Sequence, residues 1–189
     1  MKNRVLSTAD PVMVFTTVIS PSVKRHVDVE SSQIEWTGKK IAGTHRGTIQ
    51  LKKGFLNLSS EGKLTSGKFV MNMNSIVVTD LEGEYKEQLE GHLNNDDFFG
   101  VENYPTSTLE ITEVAEKSGN TYAVTGDLTI KGKTNPVTFE LEVNEDTATG
   151  RVAIDRTKYG IRYGSGSFFN NLGDKTINNN FTLDVKLKF

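Results

Sequence analysis

Of the three histidines in this sequence, two stand where they could do chemistry. His92 precedes Asp96 and Asp97 closely, and His45 could join them from another segment. An imidazole beside carboxylates is a donor set for a divalent metal, or a general base with its orienting acid. The spacing matches no metal motif, and Asp96-Asp97 reads better as the cap of a turn before Phe98, so no metal is expected. Serine, histidine and aspartate are all present, but without the G-x-S-x-G elbow that exposes a nucleophile, so no catalytic residue is assigned. Gly164-Ser165-Gly166-Ser167 is only loosely like a phosphate cradle: it lacks the Walker lysine and does not clearly open a helix. Lys39-Lys40, His45-Arg46, Arg156 and Arg162 read as solvated charge unless the fold gathers them at one rim. The chain has no cysteine, which removes thiolate ligands and disulfides. No cofactor is implied.

The stronger signal is apolar and periodic. Phe69, Met71 and Met73 recur at period two, as do Leu109 and Ile111, then Phe139 and Leu141, then Phe181, Leu183 and Val185. Each set occupies the apolar phase of a predicted strand and is expected to point inward. These residues either fill a core or line a tunnel, and alternation does not separate the two. The flexible thioethers of Met71 and Met73 suit an irregular apolar ligand.

These residues need strands to hold them. Strand patterns begin at Val27 and recur with turn signals every ten residues or so: Gly54, Gly62, Ser118-Gly119-Asn120, Lys131-Gly132-Lys133 and Asp146–Gly150. That rhythm predicts a closed or packed antiparallel sheet. One stretch is helical. Leu81, Tyr85, Leu89 and Leu93 share a face at spacing i, i+4, predicting a helix over about 80–94 that Asn94-Asn95 ends. Thr79 and Glu82 have capping-box spacing, and Glu82 can pair with Lys86. Phe98, Phe99 and Tyr104 follow directly. A lone amphipathic helix among strands buries its stripe across the end of a barrel, as a lid, or on a sheet edge. As a lid, its working residues are Tyr85, Leu89, Phe98 and Phe99. The Gly-rich stretch Tyr159–Gly173 would then mark the opposite end.

With 189 residues the chain is long enough for one domain and a substantial core. The net charge of -2 supplies no field for nucleic acid or an anionic membrane at the level of the whole chain. Lys2 and Arg4 precede a short apolar run, Val12–Ile19, interrupted upstream by Asp10-Pro11. Residues 1–25 therefore read as an N-terminal arm or a degenerate export signal, with an apolar run too short to span a membrane, and 26–189 as the domain.

Several passages together resemble the YceI-like proteins, a family of lipocalin-like barrels that bind lipids such as polyisoprenoids. They are IEWTGKKIAGTHRGTI from Ile34, GKFVMNMNSI from Gly67, LEGHLNNDDFFGVENYP from Leu89, GDLTIKGKTNPVTF from Gly126 and RTKYGI from Arg156. The resemblance implies an all-β fold, an extended eight-stranded antiparallel barrel with one short helix at one end and an apolar tunnel inside. It implies non-enzymatic storage or transport of a long apolar chain, a hydrophobic small molecule as partner, and a periplasmic or secreted location. Pairing of two copies stays open. The alternatives are a hydrolase-like enzyme using His92 or His45 on a lipid head group, and a structural or stress protein with a filled barrel.

Overall fold

The computed structural model describes residues 22–189, so the apolar run Val12–Ile19 lies outside the described residues. The elements in chain order are β1 (Val23–His26), β2 (Asp28–Lys40), β3 (Gly43–Leu58), β4 (Leu64–Val78), α1 (Gly83–Asn94), β5 (Thr106–Ser118), β6 (Thr121–Ile130), β7 (Lys133–Val143), β8 (Thr147–Asp155) and β9 (Ile177–Lys188). Their order in the sheet is β1-β3-β2-β9-β8-β7-β6-β5-β4, and a further β3–β4 pairing closes β2 to β9 into an eight-stranded barrel.

Closure depends on the length of β3. Its first residues, Gly43–Thr48, pair with β2, while Gly47–Leu58 pairs with β4. At 16 residues β3 reaches roughly 50 Å, enough to serve both neighbours and still carry β1 at its far end. β1 begins inside the stretch read as an arm: Val23 faces Leu58, and the Val27 amide donates to the Gly54 carbonyl at 3.0 Å. The sequence VKRH has no alternation of its own, and neighbouring β3 supplies the pairing that makes it a strand. The β6–β7 turn is as tight as its sequence suggests, with Lys131 and Gly132 both at positive φ, 50° and 70°. That is the backbone of a two-residue hairpin whose twist matches its strands.

The interior divides in two. One half is packed solid around Leu56, Leu58, Leu64, Val124, Ala148 and Leu187, none more than 4% exposed. Each of these leucines and the valine contributes about 1.5–3 kcal/mol by leaving water. The other half, bounded by the end of β2, the start of β3 and the beginning of β9, is hollow.

Helix α1 begins later than its spacing suggests. Glu82 is the N-cap and makes no side-chain capping bond, so the Thr79–Glu82 box does not form. The Thr79 amide instead donates to the Arg46 carbonyl at 3.0 Å. The pair on the helix is Lys86–Glu90 at 3.9 Å, not Glu82–Lys86. Glu90 is drawn inward because its carboxylate accepts the Val78 amide at 2.8 Å, which ties the helix to β4.

Candidate ligand-binding site

The hollow half of the barrel holds a cavity of about 790 Å³. Strand residues Trp36, Ile49, Met71, Met73, Leu128 and Ile154 form its inner wall. Leu89, His92 and Leu93 of α1, with Phe98 and Phe99 beyond it, form another wall. Phe99 meets the Phe181 ring edge-on at 6.1 Å, and Phe98 meets Phe99 at 5.6 Å. The cavity reaches solvent between the β2–β3 turn and the loop before β9, where the exposed residues Lys39, Lys40, Phe169 and Lys175 line it.

Of the ten residues expected inside the barrel, Phe69, Met73, Ile111 and Leu141 are buried in the core and the other six pack against it part-buried, and they serve different halves. Met71, Met73, Phe181 and Leu183 line the cavity. Phe69, Leu109, Ile111, Phe139, Leu141 and Val185 pack away from it. Among the residues assigned to a lid, Leu89, Phe98 and Phe99 wall the cavity, whereas Tyr85 is 73% exposed. Tyr85 sits in the first turn of α1, whereas Leu89 and Leu93 lie further along it against the cavity, and Leu81, ahead of the helix, packs part-buried on the core. Lys86, Glu90 and His92 complete the half-buried side.

The Gly-rich loop lies at the same end as α1, not at the opposite one. Tyr163 stacks edge-on with His92 at 4.3 Å between ring centres. What holds this loop is Arg156, which the sequence suggested was solvated and which is 2% exposed. Its guanidinium donates Nε to the Asn178 carbonyl, Nη1 to those of Ile161 and Tyr163, and Nη2 to that of Ile177, all at 2.8–3.1 Å. A planar fork of five donors suits this task, because irregular backbone near a core has carbonyls with no ladder to join. The same guanidinium lies 5.5 Å from the Phe98 ring centre, so one cation braces both loop and aromatic wall. Burial lowers the Arg156 pKa from its ordinary value and the nearby Asp155 opposes the shift. Next to it, burial pushes the Tyr159 phenol up to about 12. Ser165, in the loop read as a weak phosphate cradle, is fully buried and donates to Asn179 Oδ1 at 2.6 Å; its job is to knit the loop to β9.

His45 and His92 are not brought together with Asp96 and Asp97. His45 Nδ1 sits 3.1 Å from Asp80 Oδ2, and the Arg46 amide donates to Asp80 Oδ1 at 3.0 Å. Burial opposes ionisation of Asp80, but the Arg46 amide and His45 outweigh it and hold the carboxyl below its ordinary range. The His92 ring packs against Phe98 and Tyr163. Two polar atoms in the cavity wall, Trp36 Nε1 and His92 Nε2, are buried without a partner in the protein. Trp36 and Arg156 were legible as residues but not as site residues. Trp36 stood in a clear alternation, and its distinguishing partner is Gly47. A Cβ there would fall 1.8 Å from the Val77 carbonyl and 2.5 Å from the indole, so only glycine lets the ring lie on the strand.

A second concavity, of about 830 Å³, lies on the outer face of β2, β9, β8 and β7. It is similar in volume but is lined by Glu35, Glu140, Arg151 and Asp184, with Arg151 bonded to Asp184 at 2.6 Å and Lys117 to Glu140. A ligand there would compete with ion pairs in water. The interior cavity presents hydrocarbon.

Comparison with known proteins agrees with this architecture. A UPF0312 protein of Photorhabdus laumondii is 39% identical over 69 residues, covering 36% of this chain and 35% of that one. A UPF0312 protein of Staphylococcus epidermidis is 36% identical over 88 residues, covering 41% and 48%. The chain thus spans half or less of the length of these curated relatives. Among solved structures, Burkholderia cenocepacia BcnA superposes with a TM-score of 0.65 at 23% identity, over 85% of this chain and 98% of that one. A domain from Saccharophagus degradans, described as polyisoprenoid-binding, superposes at 0.57 and 15% identity, over 86% and 95%. These structural likenesses establish the fold. Residues 26–189, which include the whole closed barrel, match the YceI-like domain, and the chain belongs to that family.

Proposed function

We propose that the protein binds one long apolar chain, of polyisoprenoid or fatty type, in the hollow half of its barrel, and stores or carries it without altering it. The observation that carries this reading is the cavity of about 790 Å³ with a wall of aliphatic, thioether and aromatic side chains. That volume is within the range of small-molecule sites. Burying hydrocarbon there is worth about 25 cal/mol per Å², set against the cost of immobilising a flexible chain. The Saccharophagus degradans domain, described as polyisoprenoid-binding, supports the ligand class by analogy. His45, paired with Asp80, and His92, packed against Phe98 and Tyr163, both line the cavity, and this reading assigns them to its wall.

Arginine scanning tests the reading. Met71→Arg or Leu183→Arg should abolish uptake of an apolar fluorophore, while Asn72→Arg and Asp184→Arg, on the opposite phase, should retain it. Equal effects on both phases would sink the assignment. Family resemblance further supports export to the periplasm or the exterior. Because Val23 pairs with Leu58, a processed form should begin at or before Val23. N-terminal sequencing of protein recovered from cells would show this, and an intact Met1 in the cytosolic fraction would contradict it.

A further inference from the structure

The rim of the cavity carries a surface that ligand binding alone does not use. Eight large hydrophobic side chains are exposed among the described residues, and four of them, Ile41, Tyr163, Phe168 and Phe169, belong to the two segments around the mouth. Ile41 is 67% exposed, Phe168 46% and Phe169 50%. The two segments are held together: the Ile41 amide donates to the Thr176 carbonyl at 3.0 Å. Arg156 and Ser165 fix the loop from beneath, so these aromatics are presented on a supported scaffold.

The same rim is basic. Lys39, Lys40, Arg162 and Lys175 stand against Asp174, four positive charges to one negative, in a chain whose net charge is -2. The Arg162 guanidinium lies 4.5 Å from the Phe168 ring centre, so charge and aromatic surface are interleaved. Exposed aromatic and aliphatic side chains bordered by lysine and arginine are the composition that partitions into the head-group layer of an anionic bilayer. The chain as a whole would not be drawn there; the mouth would.

We propose that the collar formed by Ile41, Phe168 and Phe169, with Lys39, Lys40, Arg162 and Lys175, docks the mouth of the barrel on an anionic lipid surface. Its use as an exchange port rests on the ligand-binding reading above; the docking itself does not. A water-insoluble chain then passes between bilayer and cavity without crossing solvent.

The test is flotation of the full chain with vesicles of phosphatidylcholine containing phosphatidylglycerol, against vesicles of phosphatidylcholine alone. Binding should be confined to the anionic vesicles and should weaken with added salt. The double variant Ile41→Ser/Phe168→Ser, at positions outside the cavity lining, should lose flotation while keeping its melting temperature. Lys39→Ala and Lys175→Ala should each weaken binding about fivefold, the equivalent of ~1 kcal/mol per basic residue at such a surface. Val23→Ser, exposed but remote from the mouth, should float like the parent. No flotation, equal flotation with both vesicle types, or equal loss in Val23→Ser would overturn the proposal. So would a dimer in solution that the Ile41/Phe168 variant dissociates without any vesicle binding. Fluorophore uptake separates the two readings: flotation without uptake removes the ligand but leaves docking, and uptake without flotation does the reverse.

Discussion

Trp36, Arg156 and Tyr159 each turn one local environment into a measurable property. Trp36 is the single tryptophan of the chain and lines the cavity, so its emission reports occupancy. Its unpaired Nε1 offers one hydrogen bond to a ligand oxygen inside an apolar wall. Trp36→Phe should weaken binding of a long-chain alcohol or ketone, by about 0.5–1.5 kcal/mol for a neutral hydrogen bond, more than that of the matching hydrocarbon. Equal losses for both would leave the indole a packing role only. Arg156→Leu strips partners from four carbonyls, at about 1–3 kcal/mol for each one left unpaired, and should lower the melting temperature steeply. Arg156→Lys should recover little, since an ammonium cannot match a planar fork. For Tyr159 the folded pKa, about 12, lies above the unfolded value near 10. Its contribution is therefore whole below about pH 10 and is lost as pH rises towards 12. Tyr159→Phe should remove that alkaline loss from a melting-temperature profile.

Among the elements, α1 shows where sequence reading reaches its limit. Its existence follows from spacing and its end from Asn94-Asn95, but which stripe residues meet the barrel does not, because that depends on which turns of the helix lie against the strands. Tyr85 was read onto the apolar stripe but faces water, while Glu90, outside that stripe, holds the Val78 amide. We propose that α1 and its aromatic tail gate the cavity. The β3–β4 pairing closes the barrel beside the helix, which favours this role over covering a sheet edge there. Phe99→Ala, which removes the ring against Phe181, should raise the ligand off-rate strongly and lower the melting temperature modestly, as expected for the less stable parts of a fold. Tyr85→Ala should change neither. Unchanged off-rates in Phe99→Ala would end the gating role. Gly47→Ala should cost about 1–3 kcal/mol by overpacking and shift the Trp36 emission as the indole is displaced.

At the scale of the whole molecule, the barrel was legible because alternation and turns are local signals repeated from strand to strand. The inward phase of Phe69, Met71 and Met73 needed nothing beyond their spacing. The boundary between the packed and hollow halves was not legible: Phe69 and Met71 are two residues apart on one phase, yet only Met71 reaches the cavity. That boundary is set by which side chains arrive from across the barrel, a long-range fact. The same holds for Arg156, whose four acceptors become neighbours only when the loop folds back on β9. A barrel filled at one end and hollow at the other accounts for stability and binding in one domain, since the packed half holds the walls while the hollow half gives up internal contacts. Native mass spectrometry of the gently purified protein tests this most directly. The wild type should carry one apolar molecule per chain, or take one up when offered a long-chain polyisoprenoid alcohol, and folded Met71→Arg should carry none. A wild type that shows only its bare mass before and after that exposure would contradict the account.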